Sequence, residues 1–316
     1  MLNNRSKNID LIKSSELILG LVLVLILLAG SLFVGGFFSS RNFFNILRTV
    51  STVGILALGQ SFVILTGELD LSIGSILSLS VISGATVILY GTFQALLLGI
   101  LVGGLLGFIN GLFVTTFKID SLMMTLGTLS IYAGLANILS GGQAVFLRNR
   151  PLYLWLGQGD ILGMPIPFFI FLLLFLFSYL FLSYTVWGKQ LYYTGSNPNA
   201  AYNSGINTNK IKLIAFTLSG LFAAISGPLI AARVGRIIPY QGEGLEIIAI
   251  AMAVFGGVAL KGGKGTAVGI LLGVVVYQTL MNVLNLSGMG SYMEQVIRGF
   301  LLIFIVAIYK YFDSKS

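Results

Sequence analysis

The chain has 316 residues, of which 56% are hydrophobic and 9% are charged, and its mean hydropathy is +0.97. Soluble domains carry about 25% charged residues, so this composition excludes a soluble domain and indicates an integral membrane protein. Cysteine and histidine are both absent, which excludes disulfides, haem and iron–sulfur ligation and ordinary zinc sites. The net charge of +8 is more typical of cytoplasmic anchoring charge than of nucleic-acid binding.

Apolar segments recur along the chain at lengths suited to helical spans, which need roughly 20 residues each. The sequence therefore predicts an all-α polytopic protein with about ten transmembrane helices. We place them at residues 17–38, 46–66, 71–91, 93–117, 121–140, 165–186, 212–232, 245–260, 266–287 and 290–309. The segment 245–260 is short for a span, which predicts a broken or re-entrant helix.

These spans predict one transmembrane domain over residues 17–309, with terminal tails at 1–16 and 310–316. The longest outer connector is 141–164, and a polar loop occupies 188–212. With the N-terminus in the cytoplasm, every lysine falls on the cytoplasmic side, as the positive-inside tendency favours. The arginines follow this tendency less well, since Arg41, Arg148 and Arg233 fall on the outer side. The lysines predict that both termini are cytoplasmic.

Two acidic residues, Glu68 and Asp70, lie between the second and third predicted spans without other polar residues to separate them from the apolar segments, and Ser72 follows at the start of the third span. Charged groups at membrane depth are costly, and they usually line cavities or pair with partners. One interpretation is a broken helix whose acids shape a pathway or gate. The alternative is that Asp70 or Ser72 caps the next span. The cap is favoured for Asp70, and Glu68 stays undecided.

Other polar residues lie on or beside the spans, where they could hydrogen-bond a hydroxylated solute. Bonding between neighbouring helices is the commoner role of such residues. The candidates are Asn110, Asn137, Gln143, Gln278, Asn282 and Asn285. Glu243 and Glu246 flank Gly244 and could meet substrate or cap the eighth span. Glu294 and Arg298 share one helix face, which favours a structural tie.

The polar run 195–212 is the longest hydrophilic stretch between apolar segments. Asn197 and Pro198 can start a helix, Ala200 and Ala201 favour one, and Gly205 can stop it. A short helix held outside the membrane by two spans is suited to contact another protein.

Two further patterns involve glycines. Residues 262–266 resemble a phosphate loop, but Lys264 is not followed by Ser or Thr, so we expect no nucleotide to bind there and interpret the string as a tight turn. We likewise expect no metal or other cofactor on this chain. Residues 65–75 also resemble residues 255–266, and a Gly-rich span follows each. Inverted repeats with interrupted helices would explain this echo, and so would simple packing through small residues.

Together these motifs resemble the membrane permease subunits of bacterial monosaccharide ABC importers of the ribose, xylose and arabinose type. That family belongs to a superfamily shared with branched-chain amino acid permeases. The likeness runs over nearly the whole chain. It is carried by residues 65–75, 125–127, 140–143, 195–206, 219–221, Gly227, Arg233, 256–257 and 262–266.

The resemblance implies that the loop 195–206 holds a coupling helix that docks onto a separate ATPase. Ala200, Ala201 and Gly205 match the family's Glu-Ala-Ala…Gly motif, whereas Asn199 stands at the glutamate position and weakens the expectation of an ion pair. The residues implied in coupling are Asn197, Asn199, Ala200, Ala201, Gly205, Ile206 and Lys210. Those considered for a pathway or gate are Glu68, Asp70, Ser72, Asn110, Asn137, Gln278 and Asn282.

The resemblance further implies a non-enzymatic permease subunit in the bacterial inner membrane that carries a pentose or hexose. ATP and Mg²⁺ would bind the partner ATPase on the cytoplasmic side. An extracytoplasmic solute-binding protein and a second permease copy would complete the assembly. Nucleosides, branched-chain amino acids or a furanone signal are alternative solutes. A secondary transporter or channel working alone is the alternative from another class, while an intramembrane enzyme would need clustered catalytic groups.

Overall fold

The computed structural model describes residues 2–290, 292–301 and 303, with side chains described from residue 16 onward, and it is almost entirely helical. The helices are α1 Leu2–Phe33, α2 Ser40–Leu65, α3 Ile73–Thr86, α4 Thr92–Thr116, α5 Ser121–Ser140, α6 Pro151–Gln158, α7 Ile166–Tyr184, α8 Val186–Ser196, α9 Pro198–Asn203, α10 Thr208–Val234, α11 Leu245–Phe255 and α12 Ala267–Leu286. Residues 292–301 are also helical. The short strands β1 Val145–Phe146 and β4 Arg236–Ile237 pair antiparallel, as do β2 Asp160–Ile161 and β3 Met164–Pro165.

The predicted all-α polytopic architecture is confirmed. Within the described ranges, seven helices are long and apolar enough to cross a membrane: residues 16–33 of α1, α2, α4, α5, α7, α10 and α12. Each of the first nine predicted spans coincides with one observed helix. The predicted tenth span, 290–309, is described only in part, and the predicted tail 310–316 lies outside the described residues.

Several predicted boundaries were wrong, for local reasons. The first span ends at Phe33 rather than residue 38, because Gly36 adopts a φ of +76° that a helix cannot continue through. The second begins at Ser40, since the Ser39 hydroxyl accepts from the backbone N–H of Asn42 and caps α2. Residues 2–16, predicted as a tail, continue the helix of α1.

The polar loop predicted over 188–212 instead holds α8, α9 and the first turn of α10. Helix α8 was missed because its apolar and aromatic residues, among them Trp187, Leu191 and Tyr192, are not spaced along one helix face over its 11 residues. Its start is defined by the Thr185 hydroxyl, which accepts from the N–H of Gly188 at 3.0 Å.

The molecule has two ends, named here by their short helices: the α9 end and the α6 end. Helix α2 runs between them, since Arg48 near its start bonds Asp160 beyond α6 at 2.8 Å, and Leu65 at its end accepts from Gly263 near α9 at 3.0 Å. Helices α2 and α10 pack against each other at the centre of the bundle, with α4 against α10 and α12 against α2.

Helices α3 and α11 are too short to cross a bilayer. Their 14 and 11 residues span about 21 and 16 Å, against a hydrocarbon core of about 30 Å. The prediction that segment 245–260 is short or broken is confirmed, and it ends at Phe255 where two glycines follow. The prediction of a full span over 71–91 was wrong, because an irregular segment, 66–72, follows α2 and because α3 ends at Thr86.

The two short helices begin beside each other and run in opposite directions. The N–H of Gly242 donates to the Ser78 hydroxyl at 2.9 Å. Gly74, in the first turn of α3, lies so close to the Gly242 carbonyl that a Cβ there would approach it to 2.3 Å. From this contact α3 runs toward the α6 end, and α11 runs toward the α9 end.

A long–short–long order of helices therefore occurs twice, in α2–α3–α4 and in α10–α11–α12. Helix α3 packs on α10 and α11 packs on α2, so each short helix lies against the long helix of the other half. Residues 65–75 and 255–266, which are similar in sequence, contact each other, but they do not occupy equivalent positions in the two halves. The loops at equivalent positions are 66–72, which precedes α3, and 235–244, which precedes α11. The helix order supports an inverted repeat better than the string similarity does.

Glycines allow α4 and α10 to pack backbone against backbone. A Cβ on Gly107 would lie 2.3 Å from the carbonyl oxygen of Phe216, and one on Gly220 would lie 2.2 Å from that of Gly103. Close approach of this kind is the usual basis of helix association in lipid, where apolar side chains gain little by leaving the hydrocarbon. The glycine-rich pattern of α4 thus has a packing role.

We expect Gly107→Leu to separate α4 from α10 and to lower the stability of the folded protein by about 2 kcal/mol or more. Gly20→Leu is the matched control, because a Cβ on Gly20 has no atom within 4 Å in the part of the chain that the structure describes. Thermal unfolding in detergent, followed by size-exclusion chromatography, measures the difference. Equal melting temperatures for the two variants would contradict this account of the interface.

Candidate functional site

The polar loop at the α9 end presents a short capped helix. The side-chain oxygen of Asn197 accepts from the N–H of Ala200 at 3.0 Å, and Pro198 occupies the first turn. Gly205 has a φ of +83°, and the N–H of Ile206 donates back to the Ala201 carbonyl at 3.0 Å. The predicted helix start at Asn197 and stop at Gly205 are confirmed.

Most of α9 faces outward. Asn199 and Ala200 are exposed, and Tyr202 is 71% exposed, whereas Ala201 is buried. A cavity of about 280 Å³ runs beside the helix. Its lining residues are Tyr193, Ser196, Asn197, Ala200, Ala201, Ser204 and Ile206. Of the other residues considered for coupling, Gly205 is exposed at the end of α9, and the Lys210 ammonium lies 4.8 Å from the centre of the Trp187 ring.

Beneath α9, three segments of backbone meet without intervening side chains. We call Gly67, Gly195, Gly262 and Gly263 the glycine junction. A Cβ on Gly195 would lie 2.0 Å from the carbonyl oxygen of Leu65, and one on Gly262 would lie 2.6 Å from the nitrogen of Gly67. The N–H of Gly263 donates to the Leu65 carbonyl at 3.0 Å. The junction thus joins the last turn of α8, which leads into α9, to the end of α2 and to the loop after α11.

Positive φ angles are a second reason for glycine at this junction. Gly67, Gly262 and Gly263 have φ of +83°, +83° and +74°, a region that side chains disfavour. The Tyr192 hydroxyl donates to the Gly265 carbonyl at 3.0 Å, and this holds α8 against the same loop. Burial raises the pKa of Tyr192 to about 12, so the phenol remains a protonated donor at neutral pH.

An ion pair connects the start of α10 to the segment before α3. The Lys212 ammonium binds the Glu68 carboxylate, and the two side chains are only 21% and 16% exposed. Partial burial reduces solvent screening, so this pair is worth more than a fully exposed one. Glu68, undecided from sequence, is therefore the partner of a lysine four residues into α10.

Deeper in the bundle, hydrogen bonds link α3, α4, α5 and α10 around Asp70. One carboxylate oxygen of Asp70 accepts from the N–H and hydroxyl of Ser72 at 2.9 and 2.6 Å, and the other accepts from the Ser219 hydroxyl at 3.1 Å. Asn110 donates to the Ser72 hydroxyl at 2.7 Å, and the Tyr132 hydroxyl donates to Asn110 at 3.0 Å. All five residues are buried. We call them the Asp70 network.

The residues considered for a pathway do not meet at one site. Asp70, Ser72 and Asn110 belong to the Asp70 network. Gln278 and Asn282 lie on α12 and line a cavity toward the α6 end. Asn137 is exposed on α5 and donates to the Ala133 carbonyl of its own helix at 2.9 Å.

Sequence reasoning did not single out Ser219, Tyr132 or Gly195 as individual site residues. Hydroxyls and glycines on apolar spans are common, and their pairing depends on how the helices pack. Among the other candidates, Glu246 accepts from the N–H of Gly244 at 3.1 Å at the start of α11, which agrees with the cap interpretation. Arg298 donates to Glu294 at 3.2 Å, which agrees with a structural tie.

Comparison with known protein families gives one match that covers most of the chain. Residues 42–306 match the family described as the branched-chain amino acid transport system/permease component. The matched region includes the glycine junction, the Asp70 network and α9.

Individual proteins are similar over nearly the full length. The ribose import permease protein of Escherichia coli K12 is 35% identical over 311 residues, covering 97% of this chain and 95% of the relative. The L-arabinose ABC transporter permease protein of Azospirillum brasilense is 32% identical, covering 92% and 87%. A solved structure described as a metal-chelate type ABC transporter in an inward-facing conformation superposes with a TM-score of 0.54 at 18% identity, covering 94% and 98%. This last likeness concerns the fold alone.

We expect Lys212→Glu and Glu68→Lys to destabilise the protein singly, because each leaves a half-buried charge beside a like charge. The double exchange should restore about 1 kcal/mol of the loss, as a paired interaction requires. Combining Glu68→Lys with Lys210→Glu is the matched control, since Lys210 packs over Trp187 instead. Thermal unfolding of the purified variants gives the coupling free energy. Equal recovery in both double variants would contradict the assigned pair.

Proposed function

This chain belongs to the branched-chain amino acid transport system/permease component family, and we propose that it is the permease subunit of an ATP-driven importer of a small sugar. The observation that carries the proposal is α9, an exposed helix whose base is held by backbone contacts of the glycine junction. The similarity to ribose and L-arabinose permeases favours a pentose or a related monosaccharide as the solute. The protein is a multi-pass component of the bacterial inner membrane.

In this proposal the α9 end faces the cytoplasm and both termini lie there. Four lysines, Lys189, Lys210, Lys212 and Lys264, lie on or beside the segments of that end. The positive-inside tendency favours placing such a cluster in the cytoplasm. The α6 end then faces outward, where a solute-binding protein delivers the sugar.

Helix α9 docks in a cleft of the ATPase subunit, which binds ATP and Mg²⁺. Its outer face carries small and polar side chains, Asn199 and Ala200 among them, so a partner can approach its backbone closely. Asn199 makes this contact neutral at the position where the coupling motif that this loop resembles has a glutamate. The cavity of about 280 Å³ beside α9 provides a second surface for side chains of the ATPase.

Movement of α9 passes to the membrane helices through two connections. The glycine junction moves the end of α2 and the loop after α11, because no flexible side chain lies between the backbones. The pair of Lys212 with Glu68 moves the segment before α3. The Asp70 network then carries the displacement to α4 and α5. ATP binding thereby shifts the population between inward-open and outward-open states.

The gate lies where α3 and α11 begin side by side. Gly74 and Gly242 meet backbone against backbone at this level, where the Glu246 carboxylate also lies beside Gly74, and a small separation of the two helices opens the gate. Helix N-termini carry partial positive charge, which suits contact with the hydroxyl oxygens of a sugar. A second copy of the chain completes the transporter.

We expect Ala200→Trp to leave the fold intact and to reduce sugar-stimulated ATP hydrolysis at least about tenfold, since it fills the docking face of α9. Leu89→Trp is the control, because Leu89 is 79% exposed beyond α3, away from α9. Both variants are reconstituted into proteoliposomes with the ATPase and the binding protein. Unchanged stimulation in the Ala200→Trp transporter would overturn the docking role of α9.

A further inference from the structure

A second cavity lies inside a single copy of the chain, toward the α6 end. It has a volume of about 240 Å³ and is bounded by α2, α10, α12 and the helical residues 292–301. Near its rim are Asn45 and Asn285, which are exposed. Gln278 and Met281, which are buried, lie further along α12 toward the middle of the bundle. The cavity thus leads from the rim toward the depth at which α3 and α11 meet.

Gln278 is the polar group that points to a ligand. It is only 8% exposed, yet the contact of its amide nitrogen among the described residues is a weak one, with the Met252 sulfur at 3.6 Å. A buried amide in a lipid-embedded helix normally finds stronger partners. The cavity leaves this amide available to a hydrogen-bonding solute, which would contact both its donor and its acceptor.

The other polar side chains that line the cavity include both hydrogen-bond donors and hydrogen-bond acceptors. Arg233 donates to Asn45 and, at 2.8 Å, to the Thr49 hydroxyl. Across the cavity, Glu294 accepts from Arg298 and from Asn285, the latter at 2.8 Å. These contacts hold the side chains in place and leave further lone pairs and N–H groups unused.

This pattern selects a ligand class. A sugar hydroxyl both donates and accepts, so it bonds well to adjacent amide, guanidinium and carboxylate groups. Glu294 neutralises Arg298, whereas Arg233 is held by the neutral groups of Asn45 and Thr49, so the wall keeps one guanidinium charge to which a sugar hydroxyl can offer its lone pairs. Met281 offers an apolar surface for the C–H face of a sugar ring. The volume is smaller than the roughly 300–1,000 Å³ of pockets for drug-sized ligands, which suits a monosaccharide.

We propose that this cavity is a binding site for a neutral monosaccharide within each copy of the chain, on the outer side of the gate. The inference rests on the proposed sugar-import function and adds a location: the solute is held by residues of one copy before it reaches the level of Gly74 and Gly242. Gln278 is its central hydrogen-bonding residue.

Because the natural chain has no cysteine, single cysteines test the site by chemical modification. Ile46→Cys and Met281→Cys each place a thiol in the cavity, and both leave Gln278 and the rest of the polar wall unchanged. Leu162→Cys is the control, since Leu162 is 95% exposed in the turn between β2 and β3. Complete transporters in cells are treated from outside with a charged methanethiosulfonate reagent. D-ribose, L-arabinose or D-glucuronate is present or absent during treatment, and sugar uptake is then measured.

We expect the transported sugar to slow modification of both cavity cysteines at least fivefold, and modification to reduce uptake at least tenfold. The Leu162→Cys transporter should show neither effect. If the unmodified protein takes up the sugar but the sugar protects neither cavity cysteine, the proposed binding site is wrong and the proposed importer function is unaffected. Protection by D-glucuronate but not by the neutral sugars would also overturn the proposed site. Failure of the unmodified transporter to accumulate any of a panel of neutral pentoses and hexoses would overturn the importer proposal, and this site with it.

Discussion

Backbone atoms of three segments touch at the glycine junction, and the arrangement of the α9 end depends on that contact. Gly195 lies against Leu65, and Gly262 lies against Gly67, at distances that no side chain can enter. Such contacts are stiff because they lack rotatable side chains that could absorb a displacement. They position α9 relative to the end of α2 and to the loop that follows α11. The same device, glycine against backbone, joins α4 to α10 and α3 to the loop before α11.

Buried polar groups impose the second constraint, because lipid offers no hydrogen-bond partners. Asp70 is fully buried, and its carboxylate oxygens are bonded to Ser72 and Ser219. The network holds the irregular segment 66–72 inside the bundle, where such backbone is tolerated only if protein surrounds it. It thereby allows α3 to begin at mid-depth, beside α11. The short helix α3 therefore depends on the Asp70 network for the position at which it begins.

Much of this architecture follows from the sequence. Hydropathy gave nine spans that coincide with helices, and Asn197, Pro198 and Gly205 predicted the limits of α9. The length of α3 was not predictable, because residues 71–91 carry no charge and their serines are compatible with a span. The position at which α3 begins depends on the hydrogen bond between Asp70 and Ser219 of α10. Helix α8 was missed because its pattern is polar and short. These failures share a cause, since each depends on contacts between segments distant in sequence.

The types of residue at the candidate site could be predicted from the sequence, but which of these residues contact one another could not. Glu68 and Lys212 are 144 residues apart, and nothing in either segment indicates the other as its partner. Gln278 and Asn282 were predicted as candidates for a pathway. The other polar residues of their cavity, Arg233 and Asn45, lie on α10 and α2, so their proximity could not be predicted from the sequence. Gly195 was one glycine among 40 in the chain, and its role depends on the carbonyl of Leu65.

The central claim is that α9 and the glycine junction move as one rigid body when ATP binds. Spin labels on Asn203→Cys in α9 and Lys264→Cys in the loop beside the junction measure this directly in the complete transporter. The account predicts that their separation changes by less than about 2 Å between the nucleotide-free and ATP-trapped states. A change of about 5 Å or more would show that α9 moves independently of the junction, and it would contradict the account.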